Sequence, residues 1–539
     1  MANIISQNNF NPANLSADGL YIEQLQPPTY IRGVPTSIAG IVGTASWGRV
    51  NQPIYCGNAP QASAAFGSIT AASLTDPYDL PTDMAVAFQQ GQNSSLAIWG
   101  VRVTDGTDVA ASTTLMTSGA PVSGVTLAAV STGTLGNQFS VTLSLGARTN
   151  TTTVAIVPFS GLQPELYPNL PNATFWTSLV DAITSGISNV RGPSSIVTAV
   201  LATTPAPAGL PAIGTFNFTG GTDGRTGVTA TTLVGQNLTY PFTGLQSFSD
   251  VNPPLSVAWM AGVTDQTQVP SFQSFLDNNG TWGLFAFPTG TSTADAITQA
   301  QTLGVEDGNF SYCKDSVYWY DPINSKVRLL LPYAFIGGRT TALGPQFNPG
   351  NTPVYGVLGT ERNNPYTGTV PYSNAEIGEL ANAGIMFISN PCPGGAFFGI
   401  REATTTALMN PALQAEGVVE YARMTNFLSN SLGATMGLYV DKLQGQGPND
   451  PLRQAVRQSL KQFLSPMVGS MIDDFLVTCE FSATGTPGLG INTPQSIAQH
   501  FLYAMVQVRY LSSVRFFVLA LQGGTTVVTS TTSAGGALA

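Results

Sequence analysis

Apolar residues along this chain follow two periods, one of short unbroken or helically spaced runs and one of strict alternation. After an Asn-rich opening of 20 residues with little periodicity, Tyr21, Ile22 and Leu25 begin an apolar pattern that runs into Pro27-Pro28. The opening reads as an N-terminal arm. Ile38 to Val42 is a continuous apolar run closed by Gly43, Ala85 to Phe88 has helical character, and Leu96 to Val103 reads as the next strand, ending near Arg102. From Asp105 to Gly224 the texture becomes rich in Thr, Ser and Gly. There Phe139, Val141, Leu143 and Leu145 share one face, a period of two that predicts half-buried strands. One helix, Thr174 to Ile187, interrupts them, with Phe175, Leu179, Ala182 and Ile183 at helical spacing.

The first texture then resumes. Leu255 to Met260 and Gly283 to Phe287 read as strands, Pro270 to Asp277 as a helix, and a further helix starts near Thr293. Strands alternating with helices predict a sheet covered by helices. Further on, Asp450 is placed to cap a helix with Pro451 at its first position, and Leu452, Val456, Leu460 and Phe463 form its inner stripe. Thr493-Pro494 starts a short helix. Leu502, Ala504, Val506 and Val508 then alternate and Val514 to Leu521 is nearly all apolar, so two strands fit, although Ile497, Phe501, Met505 and Val508 also match a helix. Beyond Gly523-Gly524 the run TTVVTSTTSAGGALA reads as another strand and a tail.

The expected architecture is a multidomain chain of α+β and α/β character. It has a core α/β domain with a mixed sheet flanked by helices, in two parts (21–104 and 225–405), a β-rich domain inserted between them (105–224), and a C-terminal domain (406–513). Extended arms at 1–20 and 514–539 complete it.

Composition turns this picture towards assembly. Asp, Glu, Lys and Arg make up 9% of the 539 residues, against ~25% in an ordinary soluble chain. Desolvating a charge costs several kcal/mol unless it is paired, so a surface of Ser, Thr, Asn, Gln and Gly is more easily buried against a neighbour. The formal charge of −10 disfavours nucleic acid and anionic lipid as direct partners. The first residues lack a basic start and apolar core, and no apolar run reaches ~18 residues, so synthesis and assembly in a cytoplasm without membrane insertion are expected.

Catalytic inventory is thin. The one histidine, His500, has no persuasive Gly-x-Ser-x-Gly elbow to serve and reads as structural. Cys56, Cys313, Cys392 and Cys479 lie far apart with no CxxC pair, which predicts four buried reduced thiols and neither a zinc site nor a disulfide framework. Cys392, between two prolines, reads as a turn residue. Asp76, Asp79 and Asp83, the pair Asp105 and Asp108, and Asp473-Asp474 are carboxylate clusters on paper, but such residues commonly cap helices and turns. Gly220, Gly221 and Gly224 around Asp223 predict a tight loop where the inserted domain rejoins the core, without the Gly-Lys-Ser/Thr ending of a phosphate loop. No cofactor, metal or catalytic residue is expected.

Subunit contacts are the more productive reading. Arg453, Arg457 and Lys461 recur every four residues, either as a solvated helix face or as a basic edge for carboxylates of a neighbouring copy. Tyr21 and Ile22 at the first arm, and Val514, Phe516, Val518, Val527 and Val528 at the second, are candidates to meet another chain's sheet edge.

Several stretches in order resemble the contractile tail sheath proteins of bacteriophages, pyocin-like particles and related injection machines. They are GLYIEQLQPPTYIRGVPTSIAGIVGTASWGRVNQPI (19–54), FNFTGGTDG ending at Gly224, PPLSVAWMAGVTDQTQV (253–269), NAGIMFISNPCPGGAFFGIREATT (382–405), the Arg453 helix, and NTPQSIAQ with the hairpin-like close. SSVRFFVLALQGG, with Arg515 as its one charge, departs from the more charged final strands of that family. The resemblance implies a non-enzymatic subunit that forms hexameric rings stacked in a helical tube around a tail tube protein. Baseplate and tail terminator proteins would be its other partners, and the inserted domain would face outward. It also implies a virion tail that contracts to drive the tube through a host envelope for genome delivery. A β-rich glycan-binding or glycan-cleaving viral protein is the alternative, and a closed shell protein a third reading.

Overall fold

The computed structural model describes residues 3–6, 21–24, 31–92, 94–187, 190–482 and 490–519. Two short strands, β1 (Asn3–Ser6) and β2 (Tyr21–Gln24), pair in parallel, Tyr21 opposite Asn3 and Ile22 opposite Ile4. The body then opens with β3 (Ile38–Gly43), β4 (Ile54–Cys56), α1 (Ala59–Phe66), α2 (Leu80–Gln90) and β5 (Ala97–Arg102). Helix α2 is longer than its apolar core suggests because Asp79 caps it, accepting from the Thr82 amide at 3.0 Å, with Pro81 in the first turn.

Seven strands follow: β6 (Ser112–Met116), β7 (Ser123–Ala129), β8 (Ser140–Leu145), β9 (Thr151–Val157), β10 (Glu165–Pro171), β11 (Val197–Leu201) and β12 (Gly214–Asn217), with α3 (Phe175–Ser185) between β10 and β11. They form two sheets, ordered β10-β9-β8-β12 and β11-β7-β6. Phe139, Val141 and Leu143 point into a shared core with Phe175, Trp176 and Leu179 of α3. Leu145 keeps the same face, opposite Thr152, but lies exposed at the end of β8.

The chain continues through α4 (Ala230–Val234), β13 (Val257–Met260), α5 (Val269–Asn279), β14 (Trp282–Ala286), α6 (Thr293–Leu303) and β15 (Phe310–Cys313). Next come β16 (Val317–Asp321), β17 (Lys326–Leu330), α7 (Tyr333–Ala342), β18 (Val357–Thr360), two-residue strands β19 (Asn363–Asn364) and β20 (Gly368–Thr369), α8 (Asn374–Asn382), β21 (Ile385–Ser389) and β22 (Gly399–Arg401). One eight-stranded sheet gathers these in the order β22-β21-β15-β14-β13-β3-β5-β4. Its six inner strands are parallel and its two edge strands, β4 and β22, antiparallel. Strands β3, β13, β14, β15 and β21 are buried at every position, as parallel strands must be when helices cover both faces. Phe66 of α1, Met84 of α2 and Phe335 of α7 cover one face with Trp259 and Trp282. Leu233 of α4, Phe272 and Leu276 of α5, Ala300 of α6 and Leu380 of α8 cover the other.

Last come α9 (Val419–Met436), α10 (Pro451–Leu464), β23 (Ile472–Thr478), α11 (Pro494–Ala498) and β24 (Met505–Tyr510). Strands β23 and β24 pair only with each other among the described residues, and one side of the ribbon leans on Val456, Leu460 and Phe463 of α10. The alternation at Val506 and Val508 is therefore that of a strand, and the helical alternative fails there. His500 is exposed in a left-handed conformation just after α11. Cys56, Cys313, Cys392 and Cys479 are all free and buried. No helix among the described residues is long and apolar enough to cross a membrane.

Candidate subunit-contact surfaces

Strands β3 and β13 lie side by side although 213 residues of chain separate Gly43 from Val257, because the chain steps from β3 out to β5 and later returns to the other side. Such a reversal opens a crevice at the carboxyl ends of the strands, where doubly wound folds bind ligands. Here a cavity of about 620 Å³ reaches it, lined in part by Asp76, Asp79, Asp83, Arg328 and Tyr333. Arg225 reaches into its margin, 2.9 Å from Asp76, 3.8 Å from Asp79, 3.0 Å from Asp223 and 2.6 Å from the Ser46 hydroxyl. Asp79 is the α2 cap, and burial raises its carboxyl against the pull of Thr82, Ser73 and Arg225. Burial pushes Asp83 up to about 8, opposed by its bond from the Trp259 indole at 3.0 Å. Asp105 closes a turn, accepting from the amides of Thr107 and Gly227, and Asp473 and Asp474 both face Arg509. Among the described residues no three His, Cys, Asp or Glu side chains stand close enough to hold a metal ion.

The same region ties the β-rich strands to the sheet. Arg102, the last residue of β5, is fully buried and donates to the carbonyls of Gly48 (2.6 Å), Thr132 (2.7 Å) and Asp223 (2.9 Å). The Asp105 amide meets the Gly224 carbonyl at 2.7 Å, so the outgoing and returning segments touch. Gly224 sits at φ +62°, and a Cβ there would come within 2.8 Å of the Asp108 amide nitrogen. The loop expected around Asp223 is thus the joint itself. Arg225, which the pattern reading passed over, is the next residue, and its partners stand up to 179 positions away in sequence.

Of the three basic residues expected on one edge of α10, only two reach the surface. Arg453 is 3% exposed: it donates to the carbonyl of Gly445 at 2.8 Å and to that of Gly447, beside its capping residue Asp450. That guanidinium satisfies a loop of its own protomer and is no part of an outer edge. Arg457 pairs with Glu480 at 3.0 Å on the surface, and Lys461 is half-buried in the last turn.

The C-terminal segment differs from expectation in conformation. Val514 to Leu519 joins no sheet of its own chain among the described residues. Ser513 donates to Glu420 at 2.6 Å and Arg515 to Glu402 at 3.3 Å, which holds the segment against the body by polar contacts. Val514, Phe516, Phe517, Val518 and Leu519 remain 73–88% exposed. Val527 and Val528 lie outside the described residues, and for Tyr21 and Ile22 the structure describes the backbone pairing.

No family model matches the sequence, and no curated protein matches it. Solved structures do match. A sheath tail protein from Listeria innocua aligns over 83% of this chain and 89% of its own, at 12% identity and a TM-score of 0.53. One from Desulfitobacterium hafniense aligns over 92% and 100%, at 13% identity and a TM-score of 0.51. This chain has the fold of a sheath tail protein. The PVC sheath complex of an extracellular contractile injection system, solved in its contracted state, shares the sheath fold over 95% of this chain and 98% of its own, at 11% identity and a TM-score of 0.51. At such identities the sheath likeness lies in arrangement rather than in particular residues.

Proposed function

We propose that this chain is a structural sheath subunit that polymerises as stacked hexameric rings around a tail tube and contracts to drive that tube through a cell envelope. The observation that carries the reading is the likeness over 83–95% of the chain to sheath tail proteins and to a contracted sheath complex. Two features of the protomer support it. The β23–β24 ribbon offers unpaired outer edges among the described residues, and the Val514–Leu519 segment holds five apolar side chains in solvent. Strand addition would join the two, since main-chain hydrogen bonds keep copies connected while an arm's base swings. In this reading residues 1–20 and 514–539 are the arms, 105–224 is the outward domain, and the tube and baseplate proteins are the other partners.

No nucleotide is required if the contracted lattice buries more surface. An extra ~1,000 Å² per subunit would release at most ~25 kcal/mol gross, before ordering and polar desolvation are subtracted. Electron microscopy of the purified chain tests the reading. Full-length protein forms tubes, whereas protein truncated after Ser513 stays folded and fails to elongate. Tubes of normal length from the truncated chain would sink the arm assignment, and spherical shells or closed trimers from the full chain would sink the sheath reading.

A further inference from the structure

The eight-stranded sheet carries an uncharged projection on one side and an uncharged groove on the other. The projection is the loop between α4 and Leu245, GQNLTYPFTG (235–244), which contains no ionisable side chain other than Tyr240. Its form is fixed from within. The Gln236 side chain accepts from the amides of Leu238 (2.9 Å) and Thr239 (3.0 Å) and donates to the Thr239 carbonyl (2.9 Å). At the base, the Thr243 amide meets the Gln236 carbonyl at 3.1 Å, and the Gln236 amide meets the Thr243 hydroxyl at 3.0 Å. Gly235, at φ +68°, lets the two strands of the neck close, because a Cβ there would overlap the Thr243 carbonyl. The result holds Leu238 93% and Tyr240 79% exposed, with Tyr240 edge-on to Phe242 at 5.8 Å. A loop ordered by its own backbone but carrying its apolar tip in water is preorganised: a partner would gain the burial without the cost of ordering it.

The groove is a cavity of about 580 Å³ between α1, α2 and the β16–β18 sheet, with Ala62, Met84, Phe88, Trp319, Ile323 and Leu358 among its walls and no charged residue. That volume falls within the ~300–1,000 Å³ that holds an inserted group. Ile323 and Leu358 are exposed although apolar. The loop springs from elements packed on the α4–α5 face of the sheet, and the groove belongs to the α1–α2 face.

We propose that the Leu238–Tyr240 tip of one copy inserts into this groove on the next copy. A Tyr entering an apolar hole matches the anchor-and-pocket form of binding hot spots, and Leu238 beside it adds apolar burial. Because tip and hole lie on opposite faces of one sheet, the contact is heterologous. It repeats from copy to copy into a ring or an open helix rather than closing as a two-fold dimer. The inference rests on the self-assembly reading above and adds to it a contact that uses neither terminal arm.

Site-specific cross-linking tests it. Leu238→Cys and Ile323→Cys chains are mixed under assembly conditions, and the four natural cysteines, all buried, do not compete. A disulfide between positions 238 and 323, identified by mass spectrometry and found only in the mixture, is expected. The double variant Leu238→Asp, Tyr240→Asp should keep its circular dichroism and melting temperature, since both side chains are exposed, and should raise the concentration threshold for assembly at least ten-fold. Phe516→Cys is the competing probe. A 516–323 disulfide in place of 238–323, or cross-linking of position 238 to a tube protein, overturns the proposal. Wild-type and double-variant tubes forming at the same threshold overturn this contact alone, whereas a wild-type chain that stays monomeric removes the assembly reading and this contact with it.

Discussion

The central sheet and the β23–β24 ribbon are both built from apolar strands, yet they finish in opposite conditions. Five inner strands of the sheet are buried at every residue and covered by helices on two faces. Strand β24 shows no fully buried residue, and the ribbon has α10 on one side only. An apolar strand is therefore an unfinished object, and its surroundings decide whether it completes a core or waits for a neighbour. In this chain the first outcome carries protomer stability and the second is where contacts between copies are to be sought.

The contrast can be broken at single side chains. Phe272→Ala opens a cavity in the α5 face of the sheet and should cost the protomer ~3–5 kcal/mol, read as a fall in urea midpoint.

An effect of the same order, summed over the whole titration, is expected from pH. Asp83 is raised by burial to about 8, well above the ~3.9 of an unfolded chain, so the folded state keeps a proton that the unfolded state releases. Its contribution is fully present below about pH 4, falls as pH rises by up to ~1.4 kcal/mol per unit, and levels off beyond about pH 8. Asp83→Asn should flatten that decline in urea titrations between pH 5 and 8, and an unchanged slope would place the titration elsewhere.

A smaller effect comes from Asp450→Ala. It removes the cap of α10, whose carboxylate accepts from the Arg453 amide at 3.0 Å, and should lower stability by ~1 kcal/mol. Least of all, Phe516→Ala should move protomer stability by no more than ~0.5 kcal/mol while impairing tube growth. A protomer loss comparable to that of Phe272→Ala would mean the segment is already part of a core, and the contrast between the two regions would collapse.

Much of this was readable in the residues, for identifiable reasons. Strands β3, β5, β13 and β14 announce themselves because burial leaves a nearly unbroken apolar run, whereas β4, β15, β21 and β22 do not, and α10 is legible because a cap, a proline and a four-residue stripe are all local. Helix α3 is legible on the same ground, with Phe175, Leu179, Ala182 and Ile183 all buried. What escaped is non-local. Val514 to Leu519 has strand composition, but a strand needs an edge to bond to, and composition does not supply one. Arg453 has the spacing of an outer edge, yet two loop carbonyls at Gly445 and Gly447 draw it inward. Arg225 finds its carboxylates only once the sheet has formed. The exposed tip at Leu238 and Tyr240 gave no sign either, since its form is set by the Gln236 side chain and the Gln236–Thr243 bonds at its base.

The excursion from Asp105 to Gly224 leaves and returns side by side, the Asp105 amide meeting the Gly224 carbonyl at 2.7 Å and Arg102 binding carbonyls of both Thr132 and Asp223. Ends held that close place little demand on the length of chain between them, because closing a loop on fixed ends costs only ~0.6 kcal/mol more for each doubling of its length. Lineages, or protein engineers, could lengthen the outer loops beyond this doorway while the eight strands behind it keep their register.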